Sequence, residues 1–304
     1  SIVNKTNNSE ITAKQLTTTN LDNKGNIKVV NNLTSQNISN NGKLLVGNNL
    51  NTQNLTNTSL VQGRLLTVNN KINSNGKIST DSIKAKDITN SGNISSNVIN
   101  TQNIINSGEI ISNDLSSTNL TNSKEIYVNG KIQTTNLNST GNIESIDLKA
   151  NSIINGGKLL TLTKIEAQNL ENKSNSEVKT SSLNIANKIL SSGKIISKEI
   201  STQNLENNGS VIANNITVDK NISNTNNIFA NEKIKADNIS NSSKLVAKNT
   251  ETNNLTNTGN ITVKENLKTK DITNSNSIKV GGNLNTDTLK NSKDIEANNI
   301  TIEK

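Results

Sequence analysis

The side chains of this chain that could carry chemistry are carboxylates, amines and amides, because the sequence contains no histidine and no cysteine. The usual general base near neutral pH, the commonest metal ligand and any thiolate nucleophile are therefore missing. Aspartates stand singly along the chain, at positions such as Asp22, Asp81, Asp87, Asp114, Asp147, Asp219 and Asp271. We predict no catalysis, no cofactor and no metal site.

One catalytic alternative stays open. A β-helical polysaccharide-active domain needs carboxylates and basic residues that converge in a groove, usually with Ca²⁺. A carboxylate pair formed across neighbouring turns of a repeat could supply part of such a site. The Gly-Gly-x-Gly-x-Asp calcium repeat is absent from the sequence, which disfavours this alternative.

The composition is unusual for a folded chain of 304 residues, with 30% hydrophobic and 1% aromatic residues. Low hydrophobicity alone is typical of disorder, so a disordered Asn-rich tract is another alternative.

The formal charge of +8 is dispersed, with Lys alternating with Asp and Glu, and we interpret it as a solvated surface rather than a nucleic-acid site. No apolar run approaches the roughly 18 residues that would span a membrane. The chain begins at Ser1 and contains no methionine, so we expect an internal fragment of a longer polypeptide.

The dominant feature is a repeat of 16–17 residues that runs through the whole chain. Each repeat carries three aliphatic positions, which we number as columns. The second column follows the first by about six residues, and the third follows the second by five or six. The first column is Leu21, Ile38, Leu55, Ile72, Ile88, Ile104, Leu120, Leu137, Ile153, Leu170, Ile189, Leu205, Ile222, Ile239, Leu255, Ile272 and Leu289.

This spacing does not fit an amphipathic helix, which needs apolar residues at i, i+3, i+4 and i+7. It fits short strands, because a second small or β-prone residue often follows each aliphatic at i+2 and so shares its face. We predict an all-β fold, a parallel β-helix solenoid of about 17 coils with three short strands per coil, as a single repeat domain over residues 1–304. A left-handed helix of hexapeptides is the nearest competitor, and the recurrent step of five residues argues against it.

Asparagine stands two residues after the first column in 14 of 17 repeats, and serine replaces it at Ser74, Ser139 and Ser191. Asn is a poor strand former, so an inward position needs a cause. Stacked coils would place equivalent amides about 4.8 Å apart, where each can donate to the next. The predicted structural Asn ladder is Asn23, Asn40, Asn57, Asn90, Asn106, Asn122, Asn155, Asn172, Asn207, Asn224, Asn241, Asn257, Asn274 and Asn291.

Smaller features give further predictions. Gly two residues beyond the ladder Asn indicates a bend with φ > 0, and the pairs Gly156–Gly157 and Gly281–Gly282 are interpreted as bends. The segment 172–178 holds two extra residues and predicts a bulged loop. Thr134, Thr202, Thr269 and Thr286 resemble an ice-binding row, but Ala and Val share their column, which favours packing. Tyr127 and Phe229 follow second-column residues and should face outward.

The unit Leu21-Asp22-Asn23-Lys24-Gly25-Asn26-Ile27, repeated as Leu-x-Asn-x-Gly-x-Ile, resembles the repeats of the filamentous haemagglutinin family. The resemblance covers essentially the whole chain, although the family's coils are typically a few residues longer and richer in Gly and Ala. It implies a right-handed parallel β-helix in a large secreted bacterial exoprotein, exported through a partner outer-membrane transporter. Such proteins act as adhesins or as stalks that carry a contact-dependent toxin.

The resemblance therefore implies an extracellular shaft on the bacterial cell surface, with the outer-membrane transporter and a host or neighbouring-cell surface as partners. No nucleic acid and no membrane span are expected. A lateral face that binds host glycan or matrix is the alternative from the class of binding proteins.

Overall fold

A computed structural model describes residues 1–303, all of whose regular elements are β-strands. Contacts within the chain divide it into two compact units, residues 1–149 and residues 150–304. Each unit has its own set of coils and is described by itself. The single repeat domain predicted over residues 1–304 stays a prediction.

The first unit contains seventeen strands. In chain order they are β1 (Ile2–Asn4), β2 (Glu10–Ala13), β3 (Leu16–Asn23), β4 (Asn26–Val29), β5 (Leu33–Asn40), β6 (Lys43–Val46), β7 (Asn49–Asn57), β8 (Leu60–Gln62), β9 (Leu65–Ser74), β10 (Lys77–Asn90), β11 (Asn93–Asn100), β12 (Asn103–Asn106), β13 (Glu109–Ser116), β14 (Asn119–Asn122), β15 (Glu125–Gln133), β16 (Asn136–Ser139) and β17 (Asn142–Lys149).

The second unit, as far as residue 303, contains fifteen strands. They are β18 (Ser152–Asn155), β19 (Lys158–Asn172), β20 (Glu177–Lys179), β21 (Ser182–Ser191), β22 (Lys194–Ile196), β23 (Glu199–Asn207), β24 (Ser210–Asn224), β25 (Asn227–Asn241), β26 (Lys244–Asn257), β27 (Asn260–Val263), β28 (Leu267–Lys268), β29 (Asp271–Asn274), β30 (Ser277–Thr286), β31 (Thr288–Asn291) and β32 (Ile295–Ile302).

Within each unit the strands pair in parallel with the equivalent strands one coil away, as when Ile94 lies opposite Ile110 and Leu205 opposite Ile222. This register confirms the predicted fold, a right-handed parallel β-helix with coils of about 17 residues. The structure has about 18 coils, one more than predicted, because Ile2–Asn4 pair with Leu21–Asn23 and form an additional first coil.

The core of each unit consists of the three aliphatic columns, whose members stack on one another along the helix axis. Leu33, Ile83 and Ile132 of the third column are fully buried in the first unit, and Ile189 and Ile228 are fully buried in the second. A large aliphatic side chain contributes about 1.5–3 kcal/mol when it is fully buried. A coil buries its aliphatic side chains fully only when a coil on each side covers it, so the stability of each coil depends on its neighbours.

The three short strands predicted for each coil are often joined into longer ones. The strand ends at the corner after the ladder Asn. At the other two corners the strand often continues without a break, so that β24 extends over fifteen residues. Register shifts between Ala213 and Asn215 and between Val218 and Asn221 mark where β24 turns. Bulges of this kind bend a strand while most of its ladder hydrogen bonds persist.

The predicted reason for glycine at the broken corner was wrong. No glycine within residues 1–303 has a positive φ. A Cβ atom on Gly108 would instead lie 2.1 Å from the carbonyl oxygen of Gly92 in the preceding coil, and one on Gly92 would lie 2.2 Å from that of Gly76. Glycine is favoured there because the backbones of successive coils approach too closely for a side chain.

The predicted loop is present, since β19 ends at Asn172 and β20 begins at Glu177. The turn between them contains Asn175, whose φ of 62° is the only positive value for a non-glycine residue in the described chain. Gly156–Gly157 form a bend as expected. Gly281–Gly282 also lie at a corner, but there β30 turns at a register shift between Val280 and Asn283 without a break in the strand.

Candidate functional site: the asparagine ladders and the lateral faces

The inward Asn column forms a hydrogen-bonded ladder within each unit. The Nδ2 atom of Asn106 donates to the Oδ1 atom of Asn122 in the next coil (2.9 Å) and to the backbone oxygens of Gly108 and Glu125 (3.0 Å each). Its own Oδ1 accepts from Nδ2 of Asn90 (2.8 Å). One amide therefore links adjacent coils and also fixes the corner that follows it.

Thirteen of the fourteen predicted ladder residues are buried, with at most 2% of their surface exposed; they are Asn23, Asn40, Asn57, Asn90, Asn106, Asn122, Asn155, Asn172, Asn207, Asn224, Asn241, Asn257 and Asn274. The fourteenth, Asn291, is exposed, which corrects its predicted burial. It still accepts a hydrogen bond from Asn274 (2.8 Å). Its coil is followed by no further described coil that could cover it.

Serine interrupts the ladder. Ser74 accepts from Nδ2 of Asn57 (3.2 Å), but its hydroxyl donates to the backbone oxygen of Gly76 (3.3 Å) and not to the next coil. The Oδ1 atom of Asn90 is consequently buried without a hydrogen-bond partner. At the equivalent place after Ser191, the backbone N–H of Gly209 donates to Oδ1 of Asn207 (3.2 Å).

The sequence reasoning missed the first member of the ladder and a second, exposed ladder. Asn4 is buried and donates to Asn23 (2.9 Å). On the outer surface, the Asn residues immediately before the first column are bonded from coil to coil, so that Asn54 donates to Asn37 (2.9 Å) and Asn254 to Asn238 (2.7 Å). This outer ladder runs in the opposite direction, from the later coil to the earlier. The recurrence of Asn directly before the first-column residue was the available signal.

The threonines that resembled an ice-binding row are buried, which confirms packing. Thr134, Thr202, Thr269 and Thr286 are at most 6% exposed. The hydroxyl of Thr134 donates to the backbone oxygens of Thr118 (3.1 Å) and Asn136 (3.2 Å), and Thr286 makes the equivalent bonds to Lys270 and Thr288. Each hydroxyl holds the corner between the third and first columns, a role that the sequence pattern did not indicate.

Several of the single aspartates form separate contacts. Asp87 accepts from Nδ2 of Asn103 (2.6 Å), Asp114 accepts from the backbone N–H of Lys131 (3.0 Å), and Asp81 lies 3.8 Å from the Arg64 guanidinium. In the part of the chain that the structure describes, no three acidic groups gather as a metal site would require.

Charged groups on the surface pair between coils. Lys233 contacts Glu251, and this ion pair lowers the pKa of the Glu251 carboxyl. Lys248 lies 3.1 Å from Glu232 and 3.9 Å from Glu265, and these carboxylates raise the pKa of its amine. Such exposed pairs contribute little to stability.

The two aromatic residues face outward, as predicted. The hydroxyl of Tyr127 donates to Oε2 of Glu125 (2.9 Å), and this hydrogen bond to a carboxylate raises the pKa of the phenol. Phe229 is 37% exposed in the second unit.

Comparison with models of known protein families, with curated proteins and with solved structures finds no match. Residues 1–303 contain no helix long and apolar enough to cross a membrane. The strand pairing defines the fold class, a parallel β-helix, and the asparagine ladder is its most regular chemical feature.

Proposed function

We propose that the chain is a structural shaft of a secreted, surface-displayed bacterial filamentous protein, an adhesin or a contact-dependent toxin-delivery protein, and that this segment does no catalysis. The observation that carries the proposal is the buried ladder, in which Asn–Asn links of 2.7–2.9 Å repeat from coil to coil within each unit. The resemblance of Leu21–Ile27 to the filamentous haemagglutinin repeat supports the same reading.

The mechanism of a shaft is mechanical. Local opening of a coil with a ladder Asn such as Asn106 must break backbone hydrogen bonds and amide bonds together, since this amide bonds to both neighbouring coils and to one corner. Asn ladders of this kind also accompany the stability of stacked β-structures in general. The repeat builds this resistance from side-chain amides and aliphatic columns, so its length can grow by adding coils.

Display on the cell surface is tested with an antibody raised against the 304-residue chain. On intact cells of the producing organism we expect labelling, and we expect the labelling to disappear when the partner outer-membrane transporter is deleted. Labelling only after lysis, or labelling that does not depend on the transporter, would contradict the proposal.

A further inference from the structure

An outward column of apolar side chains occupies one face of the second unit. Ile196, Ile212, Phe229 and Val246 each follow a second-column residue, and they lie directly opposite one another in four successive coils. Ile212 and Phe229 are 36% and 37% exposed, whereas Val246 is only 7% exposed. The four residues, named the apolar column below, form a continuous stripe on a face where the repeat otherwise places polar side chains in many coils.

Lysines flank this column, whereas acidic residues stand outside the segments that carry it, at Glu199, Glu232 and Glu265 of the corner that follows and at Glu177 in the coil before it. The five-residue segments 194–198, 210–214, 227–231, 244–248 and 260–264 contain five lysines and no Asp or Glu. Those lysines are Lys194, Lys198, Lys244, Lys248 and Lys264. Lys248 pairs with Glu232 and Glu265 of the adjoining corner, and the other four lie outside the ion pairs that residues 1–303 form.

A shallow cleft of about 490 Å³ opens beside the column. It is lined by Ser210, Ile212, Asn227, Ile228, Phe229 and Lys244. Three of these six residues are aliphatic or aromatic, and Lys244 is the one cation among them. The cleft thus joins an apolar surface to a cation that has no carboxylate partner.

We propose that this basic and apolar face binds the surface of an acidic phospholipid bilayer. Ile212 and Phe229 enter the headgroup boundary, and Lys194, Lys198, Lys244 and Lys264 contact lipid phosphates. Apolar residues with flanking lysines are the arrangement by which proteins lie in an anionic membrane interface without spanning it. The parallel strands present Lys194, Lys244 and the apolar column on one sheet face, and Lys198 and Lys264 lie at the corner that borders it, which suits a planar partner.

Charge complementarity selects this occupant over a second copy of the chain. Two such faces brought together would oppose lysine to lysine, and like charges disfavour that contact. An anionic lipid surface neutralises the same lysines. The inference goes beyond the shaft function and does not depend on it.

Binding is tested by co-sedimentation of the full chain with vesicles of phosphatidylcholine mixed with phosphatidylglycerol, and with vesicles of phosphatidylcholine alone. We expect binding to the acidic vesicles only. The pair Lys194→Gln and Lys244→Gln should weaken binding about thirtyfold, and the pair Ile212→Ser and Phe229→Ser about tenfold. Matched controls elsewhere, Lys28→Gln with Lys43→Gln and Ile105→Ser with Ile111→Ser, should change it much less, and circular dichroism confirms that each variant is folded.

Insertion of the apolar column is read out separately with Phe229→Trp, because the chain has no tryptophan of its own. On acidic vesicles its emission should shift to the blue and be quenched by brominated acyl chains. Absence of vesicle binding, equal binding to neutral vesicles, or lysine-dependent binding with an unquenched tryptophan would each overturn the proposal. Self-association that the Ile212→Ser and Phe229→Ser variant abolishes would assign the face to a second copy instead.

Discussion

At the scale of single residues, Asn122 shows how fully a ladder amide is used. Its Nδ2 donates to the backbone oxygens of Lys124 (3.2 Å) and Asn142 (3.1 Å) and to Oγ of Ser139 (3.2 Å). Its Oδ1 accepts from Asn106 and from the N–H of Lys124. Removing the amide leaves several of these buried partners unsatisfied.

We therefore expect Asn122→Ala to lower the free energy of unfolding by about 1–3 kcal/mol, measured by denaturant unfolding. The control is Thr121→Ala, on the exposed side of the same strand, which should change stability by less than about 0.5 kcal/mol. Thr121 is a better control than the neighbouring Ser123, whose hydroxyl donates to the backbone oxygen of Asn106 (3.2 Å). Equal losses at positions 121 and 122 would refute the role of the ladder.

The gap at Ser74 allows the opposite change. In Ser74→Asn the new amide can donate to Oδ1 of Asn90, which lacks a partner. We expect a gain of about 1 kcal/mol and a higher melting temperature. Ser95→Asn, at an exposed position of β11, should have no such effect. A loss of stability in the Ser74 variant would show that this coil is not equivalent to its neighbours.

Tyr127 gives a pH-dependent signal that can be isolated, since it is the only tyrosine and tryptophan is absent. The hydrogen bond to Glu125 is the main cause of its raised pKa, followed by burial and by the charges of Glu125, Glu144 and Glu109. The folded chain thus holds the phenol proton more tightly than the unfolded chain, and this contribution to stability is lost as the pH rises through the folded pKa.

Alkaline titration of the phenolate absorbance should accordingly give a midpoint above the ordinary value of 10.0. Glu125→Gln should lower the midpoint, whereas Glu10→Gln, which is distant in the coil stack, should leave it unchanged. A midpoint that does not respond to Glu125→Gln would rule out the carboxylate as the cause.

At the scale of elements, the coil rather than the strand is the structural unit. Long strands such as β24, β25 and β26 pass round corners, and each pairs along most of its length with the next coil. Side-chain direction alternates along a strand. If the sequence is shifted along its path by a whole coil, every inward position is again occupied by an inward residue, but after a shift by half a coil it is not.

Deletion of residues 239–254, one whole coil, should therefore leave a folded chain. Leu255 then takes the place of Ile239 opposite Ile222, and Leu267 takes that of Thr250 opposite Ile234. Thr250 is the buried hydroxyl of this coil without a hydrogen-bond partner, so its removal costs nothing in bonding. Circular dichroism should keep the β-spectrum and show a cooperative melt.

The control deletes residues 239–246 only, about half a coil. The columns no longer align across the junction, and we expect loss of the cooperative melt or a fall in melting temperature much larger than for the whole-coil deletion. Equal melting of the two deletion variants would contradict coil-by-coil stacking.

At the scale of the whole molecule, each of the two units has its own aliphatic columns and its own stretch of ladder. Residues 1–149 and residues 150–304, produced separately, should each give a β-rich circular dichroism spectrum and a cooperative thermal transition, because most of their contacts are internal. A unit that is unfolded by itself would show that its core needs the remainder of the chain.

The fold class and the inward ladder could be predicted from the sequence because both follow from repetition. A period of 16–17 residues with aliphatics in three columns leaves few alternatives to stacked coils, and Asn23, Asn40 and Asn57 must then share one wall. The same reasoning failed for glycine, since it invoked backbone conformation at Gly92 and Gly108 where the cause is the closeness of the next coil.

What the sequence by itself determined was therefore the path of the chain, because alternation and period specify which side chains point inward. Only the tertiary structure decided which atoms meet between coils: the hydroxyls of Thr134 and Thr286 at their corners, the outer Asn ladder and the apolar column at Ile212 and Phe229. These features join residues about 17 positions apart, and their contacts depend on register and side-chain direction that no single repeat reveals.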